Sequence, residues 1–334
     1  MSRIAILGGG SWGTALAILF SRTRETHGIF LWARNAKLAG AMQENRENAA
    51  YLPGQSIPEA VTITADLATA LSGAEIVVGA MPSAHAREIY AAALPFLRAE
   101  TILVSATKGL EPSTHARMSE VVAQVTQLRF QPKVAVLSGP SFAMEAQRGE
   151  PTAVVLACED EAVARLLQEK LGGPTFRLYT NSDVLGAELA GAMKNVIAIA
   201  AGACQGLGLG ANTLAALITR GLAEMTRLAA ALGAKTETLG GLAGLGDLVL
   251  TCTGALSRNR YVGLELGKGR ALKDILAEMK HVAEGVGTTA ALLALSGENG
   301  IEMPITEQVN AILHEGKSPA AAIREIMERP QKRE

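Results

Sequence analysis

The sequence predicts an α/β N-terminal domain with a doubly wound, mostly parallel sheet, followed by an all-α C-terminal domain. Short apolar runs rich in β-branched residues alternate with helical patterns through residues 1–182. This alternation is typical of a parallel sheet that helices cover on both faces. After Asp183 no strand pattern follows, and helical periodicity continues to the end of the chain. The expected domains are therefore 1–182 and 183–334.

The composition indicates a globular protein without a strong overall charge. Hydrophobic residues make up 49% of the chain and charged residues 19%, so a substantial core is expected. A net charge of -1 gives no global field that would favour nucleic acid or an anionic membrane. Cys158, Cys204 and Cys252 are widely spaced and form no CxxC motif, which argues against a disulfide framework and structural zinc. We expect a cytoplasmic protein with no nucleic-acid partner, no membrane insertion and no metal.

A glycine pattern near the N-terminus has the context of a dinucleotide-binding fingerprint. It lies between the apolar run 3–7 and the helical pattern 11–19, as a Rossmann-type fold requires. Gly8 would make the tight turn, Gly10 would let the backbone approach a pyrophosphate, and Gly13 would let the helix pack on the strand. The helix N-terminus would offer N–H groups and a positive dipole end to the phosphates. A merely structural turn is the alternative interpretation.

The second strand pattern, residues 28–33, ends on Arg34. Folds that prefer NAD usually place an acidic residue near this point to bind the ribose 2′-hydroxyl, whereas an arginine suits a 2′-phosphate. Arg34 therefore predicts a preference for NADPH over NADH. Lys37 and Arg46 are nearby cations that offer alternatives, and Arg34 can also be an ordinary solvated side chain.

The remaining N-terminal strands point to further candidate residues, because ligands of such sheets bind at the carboxyl ends of the strands. Lys108 follows one strand and Ser141 follows the next. A solvated loop lysine and a helix-capping serine are the alternatives. The predicted strands are 61–63, 76–80, 101–105, 133–137, 153–157 and 175–179. One predicted helix begins near residue 66, and three others span 84–94, 113–125 and 161–171.

Residues 183–201 form a helical pattern that lacks a charged face. Apolar side chains occupy one face, and the face around Lys194 carries only small residues. A helix that is apolar all round is normally buried, so Lys194 is a cation on a buried helix. The alternative is a lysine that snorkels to solvent.

Three later segments carry groups suited to a charged ligand. Asp247 lies in the glycine-dense segment 240–248, where a helix cap is a commoner role than a working acid. The motif Ser257-Arg258-Asn259-Arg260 combines guanidinium and amide donors that match a phosphate dianion, and a solvated basic loop is its alternative. Residues 281–285 are predicted to be a loop. Helical patterns begin near 212 and 288, Pro304 interrupts the second of them, and residues 317–319 turn into the last helix.

Taken together, these motifs resemble the bacterial NAD(P)-dependent glycerol-3-phosphate dehydrogenases almost from end to end. The resemblance implies a C-terminal domain of the 6-phosphogluconate dehydrogenase C-terminal-like class. It also implies a cytoplasmic enzyme that interconverts dihydroxyacetone phosphate and sn-glycerol 3-phosphate for phospholipid synthesis. This chain has Gln205 and Ala211 where many relatives carry acidic residues. The matching motifs are residues 8–15, 32–34, 107–110, 138–143, 194–198, 218–225, 244–248, 257–260 and 303–307.

The resemblance further implies roles for individual residues. Lys194 would transfer the proton. The substrate would be bound by Lys108, Gly139, Ser141, Lys194, Asp247, Ser257, Arg258 and Asn259. The cofactor, for which Arg34 predicts NADPH in preference to NADH, would be bound by Gly8, Gly10, Ser11, Trp12, Gly13, Arg34, Lys108, Ala143, Arg258, Val282 and Glu284.

The chemistry of ketone reduction agrees with these roles. A hydride that reaches the carbonyl carbon leaves negative charge on the oxygen, which must be stabilised and protonated. A buried lysine beside a second cation is expected to have a lowered pKa, which suits acid–base work. Lys108 would stabilise the oxyanion, and Asp247 would orient the lysines. We expect the helix to bring Lys194 to the mouth between the domains, and small-residue packing in the helical domain to support a homodimer.

Two other functions remain open on the sequence alone. The same two-domain plan serves several hydroxyacid and ketoacid reductases, although Arg258 and Asn259 favour a phosphorylated substrate. A non-catalytic NADPH-sensing module, whose helical domain binds a protein partner, is the second alternative. Lys108, Lys194 and Asp247 argue against it, because a sensor needs none of them.

Overall fold

The computed structural model describes residues 2–127, 129–279 and 282–331. The chain forms two compact units, Met1–Glu188 and Leu189–Glu334. The first unit contains all the described strands, and the second is built from helices. The long helix Val184–Gly206 belongs partly to each unit.

The first unit contains a large sheet, a small hairpin and the helices that cover the sheet. Its strands are β1 Arg3–Leu7, β2 Gly28–Trp32, β3 Glu47–Asn48, β4 Leu52–Ser56, β5 Val61–Thr64, β6 Ile76–Gly79, β7 Ile102–Ser105, β8 Lys133–Ser138, β9 Thr152–Ala157 and β10 Phe176–Asn181. Its helices are α1 Ser11–Phe20, α2 Ala36–Asn45, α3 Leu67–Leu71, α4 Ala86–Ala93, α5 Met118–Thr126, α6 Ala143–Gln147 and α7 Glu161–Leu171, followed by α8 Val184–Gly206.

The large sheet has eight strands in the order β10-β9-β8-β7-β6-β1-β2-β5. All neighbouring strands run parallel except β8 and β9, which are antiparallel. The chain builds outward from β1 through β2 to β5, then returns to the other side of β1 with β6. The carboxyl end of β1 is therefore a topological switch point, where ligands of doubly wound sheets bind. The predicted mostly parallel, doubly wound sheet is confirmed.

Helices cover both faces of this sheet, and β1 shows how. Ile4 and Ile6 pack into a core that also contains side chains of α1 and α7. Ala5 and Leu7, the alternate residues, pack into a second core with side chains of α3, α4 and α5. Successive residues of a strand point to opposite faces, so a strand that is apolar at every position needs two such layers.

Helix α2 and the hairpin of β3 and β4 were absent from the sequence prediction, and α5 begins later than predicted. The hairpin of β3 and β4 was not expected, because Pro53 and Gly54 within β4 are poor strand formers. Helix α5 begins at Met118 rather than near residue 113. The Glu120 carboxylate accepts the Arg117 backbone N–H at 2.8 Å, which caps the helix at that point.

The second unit is helical throughout its described residues, as predicted. Its helices after α8 are α9 Ala211–Ala231, α10 Thr236–Gly240, α11 Asp247–Thr253, α12 Arg258–Gly267, α13 Leu272–Glu278, α14 Glu284–Glu298, α15 Pro304–His314 and α16 Pro319–Met327. Of the predicted loop 281–285, His281 lies outside the described residues and Glu284 already begins α14. Among the described helices, α8 has the length and composition of a membrane span, but 94% of its apolar window is buried, as in a core helix.

Helices α8 and α12 cross with their backbones in contact. A Cβ atom built on Gly202 would lie 1.9 Å from the Arg260 carbonyl oxygen, and one on Gly263 would lie 1.9 Å from the Ile199 oxygen. Side chains are excluded from such a crossing, so glycine is required on both helices. Glycine in the C-terminal half of α8 therefore serves packing inside the unit.

Candidate active site

The glycine turn, residues 8–13 between β1 and α1, has one position that faces open space. Gly8 adopts φ +134°, and a Cβ there would lie 2.7 Å from the Ala80 carbonyl oxygen. A Cβ on Gly13 would lie 1.9 Å from the Gly8 oxygen, whereas no atom lies within 4 Å of a Cβ on Gly10. Gly8 and Gly13 are therefore required by packing, and Gly10 leaves a space that a side chain would fill. This arrangement fits a dinucleotide whose pyrophosphate approaches the backbone.

The start of α1 adds N–H donors beside that space. Ser11 is the first residue of α1, and the preceding Gly10 offers no side chain to cap the helix. The first N–H groups of a helix have no partner within it, so this end suits an anion. Trp12 is half-buried and packs edge-to-face with Phe176, with the ring centroids 6.4 Å apart, and its indole N–H is buried without a hydrogen-bond partner.

Arg34 lies just beyond β2 and is accessible. Its side chain is 57% exposed and its Nη1 lies 3.7 Å from the Glu88 carboxylate, which is also exposed. Arg46, one of the two alternative cations, is already used, because its guanidinium donates to the Ile57 and Val61 carbonyl oxygens at 3.2 and 2.9 Å. Arg34 is thus better placed than Arg46 for an external anion, and Lys37, the other alternative, is exposed as Arg34 is.

Lys108, Gly139 and Ser141 form a cluster after the neighbouring strands β7 and β8. The Lys108 ammonium donates to the Gly139 carbonyl oxygen at 2.7 Å and to the Ser141 hydroxyl at 3.2 Å. Gly139 adopts φ +129°, which favours glycine. Ser141 does not cap α6, whose N-cap residue is Phe142, so the capping alternative is not observed. Ala143 begins α6 and is half-buried.

In the second unit, Lys194 and Asp247 form a buried ion pair. Their relative exposures are 5% and 1%, and Lys194 Nζ lies 2.5 Å from Asp247 Oδ1. The ammonium also donates to the Thr251 hydroxyl at 3.1 Å, and that hydroxyl donates to the Asp247 carbonyl oxygen at 2.5 Å. Lys194 therefore does not snorkel. Nor does Asp247 cap α11, whose N-cap residue is Gly246.

The sequence predicts a second cation beside Lys194, but the structure places the carboxylate of Asp247 there, and the two have opposite effects on the charge of the lysine. A carboxylate favours the protonated ammonium, whereas a neighbouring cation would disfavour it. Removing one member of a buried pair leaves the other charge uncompensated, which typically costs about 3–5 kcal/mol. The adjacent Cys252 thiol is fully buried, which raises its pKa to about 12, so it stays neutral beside the pair.

Two asparagines link α8 to the start of α12. Asn259 donates from Nδ2 to Asn195 Oδ1 at 2.9 Å, and its own Oδ1 accepts the Gly285 backbone N–H at 3.0 Å. Asn195 in turn donates to the Gly191 carbonyl oxygen at 3.3 Å. A Cβ on Gly285 would lie 2.8 Å from the Asn195 carbonyl oxygen and 2.9 Å from Asn259 Oδ1, so the second residue of α14 must be glycine at this contact. The link holds the first turn of α12 one residue from Lys194.

The other residues of the basic motif differ in exposure. Ser257 is buried and caps α12 by accepting the Arg260 backbone N–H at 3.2 Å. Arg258 is exposed over more than a third of its surface, yet the protein packed around its guanidinium disfavours the charged form and lowers its pKa, an effect that the charge of half-buried Glu284 opposes. Gln205 accepts a hydrogen bond from the Arg260 guanidinium, and Ala211 begins α9 as an exposed residue. Val282 is 51% exposed.

Sequence reasoning missed some residues that the structure places in these clusters. Thr251 lies one helical turn after Asp247, a spacing that could have indicated a shared face. Asn195 lies next to Lys194 but was not assigned a role of its own. Asn48, which bonds to the glycine turn, had no signal because its hairpin was not predicted. Among the described residues, no group of three His, Cys, Asp or Glu side chains could hold a metal ion.

Comparison with known proteins places these clusters in a family context. Residues 3–164 match the family model for the NAD-dependent glycerol-3-phosphate dehydrogenase N-terminus, and residues 183–324 match that for its C-terminus. The chain is 56% identical over 331 residues to the glycerol-3-phosphate dehydrogenase (NAD(P)+) of Koribacter versatilis, covering 99% of this chain and 98% of that protein. It is 53% identical over 335 residues to the enzyme of that name from Acidobacterium capsulatum, covering 99% of each.

A solved structure agrees with the sequence matches. The crystal structure of glycerol-3-phosphate dehydrogenase from Coxiella burnetii is 43% identical in sequence and superposes with a TM-score of 0.93. The match covers 98% of this chain and 99% of that one. Both family models and these relatives extend over nearly the whole sequence. The chain therefore belongs to the NAD-dependent glycerol-3-phosphate dehydrogenase family.

Proposed function

We propose that the protein is an oxidoreductase that reduces dihydroxyacetone phosphate to sn-glycerol 3-phosphate, reversibly and with NAD(P)H, and so supplies glycerophospholipid synthesis. The observation that carries this proposal is the buried pair of Lys194 and Asp247. It is a proton donor held in its charged form, which ketone reduction requires. Support also comes from relatives that are called glycerol-3-phosphate dehydrogenase (NAD(P)+) and match the whole chain.

Lys194 is the proposed proton donor. Bound NAD(P)H would supply a hydride to the carbonyl carbon of the substrate. As charge develops on the carbonyl oxygen, Lys194 Nζ donates a proton to it, and in the oxidative direction Lys194 takes that proton back. Asp247 and Thr251 hold the ammonium in position, so little reorganisation accompanies the transfer. Such acid–base catalysis is typically worth roughly 100- to 10,000-fold.

Substrate binding is proposed for the polar clusters of both units. Arg258 is exposed and suits a phosphate dianion, while Lys108 offers a charge that stabilises the oxyanion. Binding energy from the phosphate would position the carbonyl group for reaction. The complete proposed set is Lys108, Gly139, Ser141, Lys194, Asp247, Ser257, Arg258 and Asn259, in which Ser257 and Asn259 also hold α12 in place.

Cofactor binding is proposed at the glycine turn and the residues around it. The open space at Gly10 and the N–H groups of α1 suit the pyrophosphate, and Arg34 suits the 2′-phosphate of NADPH. No metal enters the proposal. The complete proposed set is Gly8, Gly10, Ser11, Trp12, Gly13, Arg34, Lys108, Ala143, Arg258, Val282 and Glu284.

The wider setting is also proposed. We assign cofactor binding to residues 1–182 and substrate binding with catalysis to residues 183–334. A cytoplasmic location is supported by three cysteines that are all free and buried. A homodimer is supported by the half-exposed apolar side chains of Leu214, Leu217 and Ile218 on α9, which sedimentation equilibrium would test.

A steady-state assay tests the proposed reaction. Oxidation of NADPH and of NADH is followed with dihydroxyacetone phosphate and with unphosphorylated dihydroxyacetone. Turnover that depends on the phosphate is the expected result. Equal turnover of both ketones would favour a different reductase, and NADPH binding without turnover of any triose phosphate would favour a sensor.

Substitution of Lys194 tests the proton donor. Lys194→Ala should lower kcat by at least about 100-fold while the Kd for NADPH changes less than twofold. Lys268→Ala is the control, because Lys268 is 52% exposed on the surface of the same unit and pairs only locally with Glu265. Near-normal turnover of a folded Lys194→Ala protein would contradict the assignment.

A further inference from the structure

Asn48 is a buried amide that bonds directly to the glycine turn. It lies in the hairpin of β3 and β4 and is 0% exposed. Its Nδ2 donates to the Gly9 carbonyl oxygen at 3.0 Å and to the Thr14 hydroxyl at 2.8 Å. Its Oδ1 accepts the Tyr51 backbone N–H at 3.2 Å. The amide thus uses both of its N–H groups and its oxygen inside the protein.

The Thr14 hydroxyl extends this contact to the next peptide group. It accepts from Asn48 and donates to the Gly10 carbonyl oxygen at 2.8 Å. The carbonyl oxygens of Gly9 and Gly10, two successive residues of the turn, are therefore both held by one network. The same Gly10 oxygen accepts the Thr14 backbone N–H at 3.0 Å, which is the first bond of α1.

Holding the two carbonyl groups also orients two N–H groups. In a trans peptide the C=O and N–H bonds point in opposite directions. When the Gly9 and Gly10 oxygens point inward to Asn48 and Thr14, the N–H groups of Gly10 and Ser11 point away from them. These N–H groups border the open space at Gly10, where an anion would bind at the start of α1.

The hairpin that carries Asn48 is itself firmly attached. Arg46 precedes it with φ 49° and donates to the Ile57 and Val61 carbonyl oxygens, so both ends of the hairpin are tied together. Leu52 is 1% exposed, which anchors the second strand in the unit. These contacts hold the hairpin, and with it the Asn48 side chain, in a fixed position beside the glycine turn.

We propose that Asn48 is a positioning residue that sets the affinity for the dinucleotide by orienting the peptide groups between Gly9 and Ser11. The inference rests on the cofactor binding proposed above. Only an amide suits this position, because the Asn48 side chain donates two N–H groups, to Gly9 and Thr14, and accepts one, from Tyr51. An aspartate has the same shape but would place a second acceptor against the Gly9 carbonyl oxygen.

The test is Asn48→Asp, measured by NADPH fluorescence titration. Loss of the two buried hydrogen bonds that Asn48 Nδ2 donates, to Gly9 and to Thr14, should raise the Kd for NADPH about tenfold or more, with an equal rise in the KM for NADPH. The kcat at saturating NADPH and the KM for dihydroxyacetone phosphate should change less than twofold. If Asn48 had only a structural role, Asn48→Asp would lower the unfolding temperature but would not raise the KM for NADPH selectively while leaving kcat unchanged.

Two further variants make the test complete. Asn45→Asp is the matched control, because Asn45 is exposed three residues earlier and bonds only within α2, to the Ala41 carbonyl oxygen. Its Kd should equal that of the wild type. Thr14→Val keeps the Gly9 bond and removes the link to Gly10, so it should raise the Kd about threefold to tenfold, and it serves as the test if Asn48→Asp does not fold.

The outcomes separate this inference from the proposed function. A wild-type protein that does not bind NADPH would overturn the proposed cofactor binding. A wild-type protein that binds NADPH, together with a folded Asn48→Asp or Thr14→Val protein of unchanged Kd, would overturn the positioning role alone.

Discussion

At the scale of single residues, the environment of each charge decides its role. Lys194 and Arg34 are both cations that the sequence singles out, but Lys194 is 5% exposed and paired, whereas the Arg34 side chain is 57% exposed. A buried ammonium beside a carboxylate can donate a proton to the oxygen of a ketone as hydride reduces the carbonyl carbon, while an exposed guanidinium suits recognition of a phosphate at the surface. The pairing with Asp247 also explains why a buried cation is tolerated.

Arg34 carries a prediction on cofactor preference. Arg34→Asp should raise the Kd for NADPH about 10- to 100-fold, because a charge-assisted hydrogen bond is lost and a repulsive charge is added. The Kd for NADH should change much less, since NADH has no 2′-phosphate. Fluorescence titration of both cofactors measures the difference, with Arg165→Asp as control because Arg165 is exposed on α7 and pairs with Glu161. An equal loss of both cofactors would contradict the role of Arg34.

At the scale of elements, close contacts between helices place the site residues. The glycine crossing of α8 and α12 sets the start of α12 beside Asn195, and the Asn195–Asn259 bond then fixes it. A single added methyl group at the crossing should therefore affect both stability and activity.

Gly263→Ala is the variant that tests this crossing. Its Cβ would lie 1.9 Å from the Ile199 carbonyl oxygen, so the helices must separate, at a cost of about 1–3 kcal/mol in the free energy of unfolding. The ratio kcat/KM should fall as well, because Asn259 moves with α12. Gly297→Ala in α14 is the control, since nothing lies within 4 Å of its Cβ, and it should stabilise the protein by about 0.5–1 kcal/mol. Equal stability of the two variants would refute a tight crossing.

The first turn of α15 donates N–H groups to Glu224, a buried carboxyl group of α9 whose pKa is raised to near neutrality. Glu224 is 1% exposed and accepts the Ile305 and Thr306 backbone N–H groups at 2.6 and 3.2 Å. Burial raises its pKa to about 7, although these hydrogen bonds act to lower it. The folded protein therefore holds a proton on Glu224 at pH values where the unfolded chain, with an ordinary pKa, has released it.

This difference predicts a loss of stability as the pH rises. The contribution of Glu224 is fully present below about pH 4.3, the ordinary pKa of a glutamate, and is lost as the pH rises through about 7. Between pH 5 and 8 the wild type should lose up to about 3 kcal/mol relative to Glu224→Gln, which cannot titrate. Urea unfolding of both proteins across this range measures the change. A constant difference between them would show that the Glu224 pKa is not raised.

At the scale of the whole molecule, binding of the cofactor should appear as added stability. A ligand at 100 times its Kd stabilises the folded protein by about 2.7 kcal/mol. Gly10→Val should fold normally, because no atom lies within 4 Å of a Cβ at that position, but its side chain would fill the space proposed for the pyrophosphate. NADPH should therefore raise the unfolding temperature of the wild type and not that of Gly10→Val. An equal rise in both proteins would place the cofactor elsewhere.

Much of the architecture could be predicted because its signals are local. Apolar runs alternating with helical patterns indicate a covered parallel sheet, and glycines between a strand and a helix indicate a tight turn, so neighbours in the chain carry the information. The predicted helix 161–171 coincides with α7, whose N-terminus is capped by Asp160 next to it in sequence. The burial of Lys194 was indicated in the same way, by the small residues around it.

What the sequence by itself determined is therefore the fold class, the glycine turn and the candidate lysine. Only the tertiary structure decided that Asp247 pairs with Lys194 rather than capping a helix, that Asn48 holds the glycine turn, and that Glu224 of α9 accepts the first N–H groups of α15. The contacts involved join residues far apart in the chain, 39 positions for Asn48 and Gly9 and 81 for Glu224 and Ile305. No local periodicity encodes such pairs, because their partners meet only when distant elements pack together.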